Sequence, residues 1–436
     1  MPSRREFVRA GGRLAAVAAV SGLAGCRLSG PPEVVLAWAD DDTAGALRDV
    51  VRLFENTHAG SGFTVDVRRQ PYPGVYGLVA AEMKSRRRGG DLADMLYVRA
   101  SHLVPLAQRF PDAFRDLSEF GADGYRHAFS SRAWRLADGS GRVLAMPWDI
   151  RPAGVFHRVD LFDRAGVDAG SIETWADYVG AAREVKAATG ARTAFDIADP
   201  VSVVGTLLNE QGAALFDARG RVAVGSAAAV AALRVIKRLR DEELLLLVEG
   251  FDAQVAASTE GKVAGFVADA GAARRLQDRA PRQKGRWDVF PVPAFARGGS
   301  RAASYGHDGP GGLAVLATSE ADPESAWAYI RFALTDPHAQ LVCLRRHGRF
   351  PSLLRTYADP YFSRPVPYFD DKPIFKVFAD EAPHLPSVHV TPDDARAVAA
   401  LGGAVRRVLL EGAEVERTLR LTAEKLAKAT DRQMTG

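Results

Sequence analysis

The stretches richest in reactive residue types fall short of every catalytic pattern. Gly306-His307-Asp308-Gly309-Pro310-Gly311-Gly312 carries enough glycine to bring backbone amides close to a phosphate. It precedes an apolar run, however, instead of following a strand and opening a helix, so it fails as a dinucleotide cradle. The phosphate loop G-x-x-x-x-G-K, the nucleophile elbow G-x-S-x-G, the zinc motif H-E-x-x-H and the C-x-x-C pair are all absent. His384 and His389 stand five apart across Pro386, which breaks any helical metal-ligand spacing. Carboxylates are plentiful, but an acid–base pair is defined by distance and not by abundance. These absences leave no recognisable metal or cofactor motif in the sequence.

The elements that would position a site alternate in type. Val34-Val35-Leu36-Ala37-Trp38 reads as a buried strand that stops at Asp40-Asp41-Asp42, one of which should cap the helix that follows. Leu47, Val50, Val51 and Phe54 fall on one helical face. Phe63, Val65 and Val67 alternate with polar residues as a half-buried strand, Val75 to Met83 gives a second helix, and Met95-Leu96-Tyr97-Val98 a third strand. This alternation predicts α/β architecture with mostly parallel sheets, which bind ligands at the carboxyl ends of their strands. Thr174-Trp175-Ala176-Asp177 has the form of a capping box, and Asp322-Pro323, Asp336-Pro337 and Thr391-Pro392 open later helices. Trp175, Trp287, Trp327 and Cys343 sit in apolar surroundings and read as core.

The 436 residues suggest two lobes or domains. Hydrophobic residues at 47% and charged residues at 25% exclude a disordered, collagen-like or coiled-coil chain. The net charge of +4 is mostly a feature of the N-terminus: Arg4, Arg5, Arg9 and Arg13 against Glu6 leave +3 in the first 25 residues. A nearly neutral remainder argues against nucleic-acid binding. The basic start, the apolar Leu14-Ala15-Ala16-Val17-Ala18-Ala19-Val20 and the final Leu23-Ala24-Gly25-Cys26 have the layout of a secretory signal. The paired arginines resemble a twin-arginine export signal and the last four residues a bacterial lipobox. Residues 1–25 are therefore expected to be removed, Cys26 to carry lipid, and residues 26–32 to form a tether. Cys343 would then be the only other cysteine, leaving no intramolecular disulfide.

Several motifs together resemble the extracellular solute-binding proteins of sugar-type ABC importers, the group that includes maltose-binding proteins. Leu53-Phe54-Glu55-Asn56-Thr57-His58 is similar to the F-E-x-x-H-P step, and Gly90-Asp91-Leu92-Ala93-Asp94-Met95 to G-x-x-P-D-v, with Ala93 where Pro is usual. Leu161-Phe162-Asp163-Arg164-Ala165-Gly166 followed by Glu173-Thr174-Trp175-Ala176-Asp177 is the most specific match, and Gly261-Lys262-Val263-Ala264-Gly265-Phe266 resembles G-K-A-A-M. Glu324 to Ile330, Pro337-His338-Ala339-Gln340 and Gly348-Arg349-Phe350-Pro351 resemble the C-terminal marks. The resemblance implies a two-lobed periplasmic-binding-protein-like fold of type II, closing over its ligand at a hinge. The expected lobes are residues 33–150 with 292–335, and 151–291 with 336–436, crossing near 149–152, 290–293 and 335–337. It further implies an exported, lipid-anchored monomer facing the periplasm or outer surface, which binds without turnover and delivers its solute to permease subunits.

A sugar offers C–H faces to aromatic rings and hydroxyls to charged groups, so the resemblance directs attention to such residues at strand ends. These are Trp38, Asp40 and Asp41; Tyr97 and Arg99; Trp148, Asp149 and Arg151; Tyr305, His307 and Asp308; and Arg349. Where the family often places a Trp after the Gly261-Lys262 strand, this chain has Asp269, a candidate hydroxyl or amine contact. Carbohydrate is the leading ligand; a glycerol-phosphate diester, polyol or amine is the alternative. A surface-anchored hydrolase lacks every motif it would need, and a sensor that presents ligand to a membrane receptor is compatible with the same residues.

Overall fold

The computed structural model describes residues 33–435, apart from residues 59, 73, 86–91, 137, 140 and 388. The expected leader, Cys26 and its tether lie outside the described residues. The strands in chain order are β1 Glu33–Ala39, β2 Phe63–Arg69, β3 Met95–Arg99, β4 Asp138–Gly139, β5 Arg142–Val143, β6 Met146–Ile150, β7 Ala153–Arg158, β8 Arg192–Asp196, β9 Leu245–Val248, β10 Val263–Asp269, β11 Trp287–Pro291, β12 Gly311–Val315 and β13 Phe350–Pro351. A first sheet has the order β13-β6-β12-β3-β1-β2 and a second β11-β7-β10-β8-β9, with β4 and β5 a separate hairpin.

The sheets are mixed, not mostly parallel. β1 pairs parallel with β2 and β3, and β8 with β9 and β10, as βαβ alternation requires. β12 runs antiparallel to β3 and β6, β13 antiparallel to β6, and β7 antiparallel to β10 and β11. Strands that enter a sheet from the other lobe need no crossover helix to reverse direction, so nothing forces them parallel.

Period-2 alternation divides the first sheet's faces. Val35, Ala37 and Ala39 with Tyr97 join a core beneath the helix Asp41–Thr57, in which Leu47, Val50 and Phe54 are buried. Leu36, Trp38, Leu96 and Val98 face the opposite core, under the helices Gly74–Ser85 and Ala100–Arg109. In the second lobe the capping box is present: Thr174 accepts from the Asp177 N–H and Asp177 from the Thr174 N–H, starting the helix Trp175–Thr189. Trp175, Trp287, Trp327 and Cys343 are all buried.

The chain first changes sheets between β6 and β7, through Arg151 and Pro152. The next two passages differ from expectation. After β11, Val292 and Ala303 pack in the second lobe's core and Ser304 bridges Pro152, so the passage to β12 follows residue 304 and not 290–293. Asp336-Pro337 is no crossing at all. The Asp336 carboxylate caps the helix Pro337–His347 by accepting from the Ala339 N–H, and that helix leads into β13 of the first sheet. Residues 336–351 thus lie with the first lobe; Phe369 and Phe378 later pack on Phe156 of the second.

Candidate functional site

A cavity of about 230 Å³ lies where the two sheets' strand ends meet. β3 supplies Tyr97 and Arg99, β6 and its exit supply Asp149 and Arg151, the end of β10 supplies Asp269, and the turn before β13 supplies Arg349. Gly271 of the second lobe and Gly348 of the first approach so closely that a Cβ on Gly271 would stand 3.1 Å from the Gly348 carbonyl oxygen. Gly348, at φ +67°, ends its helix in the left-handed conformation that glycine adopts without strain.

Two charge clusters line the cavity. In the first, Asp149 accepts from Arg349 Nη1 at 2.8 Å, from the Tyr97 hydroxyl at 3.2 Å and from the Gly311 N–H at 3.1 Å. Arg349 also donates to Thr43 Oγ1 and lies 3.7 Å from Asp40. Arg99 holds Asp40 and Asp308, each at 3.1 Å, and its guanidinium covers the Tyr72 ring. A Cβ on Gly311 would overlap both the Tyr97 hydroxyl and the Asp149 carboxylate, so this network needs glycine there. In the second cluster Asp269 accepts from Arg151 at 2.8 Å and from Arg275 at 3.1 Å, while Arg151 stacks over Tyr305.

Burial alone would raise the Asp269 carboxyl, but Arg151 and Arg275 outweigh it and hold the group well below the usual carboxylate range. Burial also opposes ionisation of Asp308, and His307 and Arg99 overcome it. Burial drives the Tyr97 hydroxyl upward, so it remains a donor to Asp149. The result is a set of four arginines, Arg99, Arg151, Arg275 and Arg349, matched by four aspartates, Asp40, Asp149, Asp269 and Asp308. Such a surface offers fixed donors and acceptors but no uncompensated charge. Among the described residues no cluster of His, Cys, Asp and Glu could hold a metal ion.

Of the residues expected at the site, Tyr97, Arg99, Asp149, Arg151, Asp269 and Arg349 line the cavity, and Asp40 and Asp308 stand behind them. Tyr305 supports Arg151, and His307 lies 3.5 Å from Asp308. Three expectations fail. Trp148 is 1% exposed, because its side chain points to the sheet face opposite Asp149. Trp38 is buried on the Leu36 face, and Asp41 turns outward to pair with Arg69. Asp40 occupies the N-cap position without using its side chain as a cap; the carboxylate reaches Arg99 instead. Sequence reading missed Arg275, whose only local signal is its place in the first turn of Ala272–Arg279 just after β10.

Two mixed sheets flanked by helices, with polar strand ends gathered at an interlobe cavity, define a two-lobed binding-protein fold of type II. The model of the bacterial extracellular solute-binding protein family matches residues 40–340, and the chain belongs to that family. It is 24% identical over 302 residues to the lactose-binding protein of Rhizobium radiobacter, a match covering 68% of this chain and 70% of that one. It is 23% identical over 257 residues to the arabinooligosaccharide-binding protein of Bacillus subtilis (strain 168), covering 56% and 55% respectively. The sugar-binding protein MalE of Xanthomonas citri superposes with a TM-score of 0.75 at 18% identity, over 91% of this chain and 98% of that one. No described helix is long and apolar enough to cross a membrane.

Proposed function

We propose that this chain is the substrate-binding component of an ABC importer and captures a small neutral carbohydrate between its lobes. The observation that carries this reading is the balanced set of mutually paired aspartates and arginines at the strand ends. Each charged group is already neutralised by a partner, yet each keeps spare hydrogen-bonding capacity, which suits hydroxyls better than a net-charged solute. The binding of lactose and arabinooligosaccharides by similar proteins supports the same class. The volume, about 230 Å³, lies below the roughly 300–1,000 Å³ of typical ligand pockets and favours a mono- or disaccharide. Closure by hinge rotation, delivery to permease subunits, a monomeric state, binding without turnover and lipid anchoring at Cys26 complete the proposal.

The absence of an aromatic after β10, where Asp269 stands, favours a polyol as the second reading. Isothermal titration calorimetry against lactose, arabinobiose, monosaccharides, glycerol, a glycerol-phosphate diester and choline tests both. Saturable binding of a sugar, with its recovery unchanged after incubation, is the expected result. Binding confined to the phosphodiester or the amine would overturn the neutral-sugar reading, and chemical conversion of a bound sugar would overturn the binding-only role.

A further inference from the structure

A second, larger cavity of about 650 Å³ is walled by first-lobe residues and by the segment before the helix Asp394–Glu411, with Arg132 bonded across to Asn209 of the second lobe, and no residue lines both cavities. Leu103 and Val104 of the helix Ala100–Arg109, with Leu136 and Leu144, form an apolar wall. His389 and Val390, from the segment leading into the helix Asp394–Glu411, close one side. Its volume falls within the range of small-molecule sites.

Its charge is one-sided. Arg132, Arg135 and Arg142 line it together with His389, and no described lining residue is acidic. Arg132 is only 3% exposed. Its Nη1 donates to two neutral acceptors, Asn209 Oδ1 at 2.9 Å and the Pro386 carbonyl at 2.6 Å. Its other N–H groups donate to no described residue, and no described carboxylate pairs with it. Arg142 donates to the Pro111 carbonyl at 2.9 Å, and its charge acts on the nearby Asp116 carboxylate, which does not line the cavity. Burial pulls the Arg132 guanidinium down to about 10, the direction expected of a buried cation with no counter-charge. Burial first, then the charge of Arg135, holds His389 low as well. A buried guanidinium without an anion is costly, and a carboxylate is the partner whose geometry matches its fork.

We propose that this cavity binds a small amphipathic carboxylate, its apolar body against Leu103, Val104, Leu136 and Leu144 and its carboxylate on Arg132. The inference does not rest on the function proposed for the interlobe cavity, with which this site shares no lining residue. Calorimetry with octanoate, kept below the concentration at which it self-associates, and with 1-octanol as the neutral isostere provides the test. Octanoate should bind at one site and octanol about tenfold or more weakly. Arg132→Gln should remove the preference, and Val104→Trp, which fills the cavity without touching the lobe-bridging bonds of Arg132, should remove binding of both. Asp149→Asn, in the other cavity, should leave octanoate binding unchanged, and circular dichroism establishes that each variant is folded. No octanoate binding by the wild type, equal affinity for octanol, full binding by folded Val104→Trp, or loss in Asp149→Asn would each overturn the proposal.

Discussion

Replacing Trp148 by Ala should damage stability far more than ligand affinity. The side chain is 1% exposed in the first lobe's core, and its ring meets Tyr97 edge-on at 5.8 Å. Truncating a buried Trp costs about 3–5 kcal/mol. For a unit of 150–250 residues, each kcal/mol lowers the melting temperature by about 2–4 °C. The unliganded variant should therefore melt about 6–20 °C below the wild type in a calorimetric scan. The ring's contact with a cavity-lining side chain is the edge-on one with Tyr97, and such an aromatic pair contributes about 0.5–1.5 kcal/mol. Affinity for the sugar found by titration should thus fall by about tenfold at most in the folded fraction. A ring that touched ligand would act the other way, with about 2 kcal/mol or more lost from binding and little from the unliganded melt. An unshifted melt together with a 30-fold or greater loss of affinity would refute the core placement and the register of β6 from which it follows.

Three further outcomes follow, two from the geometry and one from the leader sequence. Burial raises the Glu210 carboxyl to about 7 and lowers the His157 imidazole to about 4. Glu210 therefore contributes stability below about 4.5 that is lost as pH rises through 7, whereas His157 contributes stability above 6.5 that is lost as pH falls through 4, each effect being about 3 kcal/mol. The two oppose each other, so Glu210→Gln should make stability rise from pH 4.5 to 7 and His157→Asn should make it fall; urea melts of both variants parallel to wild type would contradict this. Gly271→Phe should wedge the lobes apart against Gly348 and enlarge the sugar-bound envelope in X-ray scattering, and an envelope that compacts normally would show that the two glycines do not set closure. Cys26→Ala should release the protein from membranes, and a variant that stays bound would remove the lipid anchor.

What the sequence made legible is tied to strand ends. Tyr97 with Arg99 could be placed because an apolar run stops beside them, and the end of such a run in an α/β lobe is where a cleft lies; Asp149 with Arg151 could be placed by the crossing between lobes that the resemblance implies. The face each side chain takes was not legible. Trp148 and Asp149 are adjacent, and one residue of register decides which of them enters the cavity. The same parity buries Trp38. Proline marks misled in another way: Asp336-Pro337 opens a helix whether or not the chain changes lobes there, and only the pairing of Phe350 with Ile150 shows that it does not.

Long-range charge pairing was beyond local reading altogether. An Asp at an N-cap position predicts a cap, but Asp40 meets Arg99, 59 residues away, and that pairing exists only once β1 and β3 lie side by side. The end of β10 shows the consequence. In sequence, Asp269 at that position reads as a candidate hydroxyl or amine contact in place of a ring, with no sign of its partners. In the folded chain the position holds Asp269, with Arg275 one helical turn on and Arg151 arriving from the crossing between lobes. Arg151 lies on the segment that changes sheets, so the Asp269–Arg151 pair ties the second lobe's strand end to the crossing between the lobes. The strand end thus carries an ion cluster shared with the segment between the lobes, and on that ground polarity rather than aromatic surface should govern what this cavity selects.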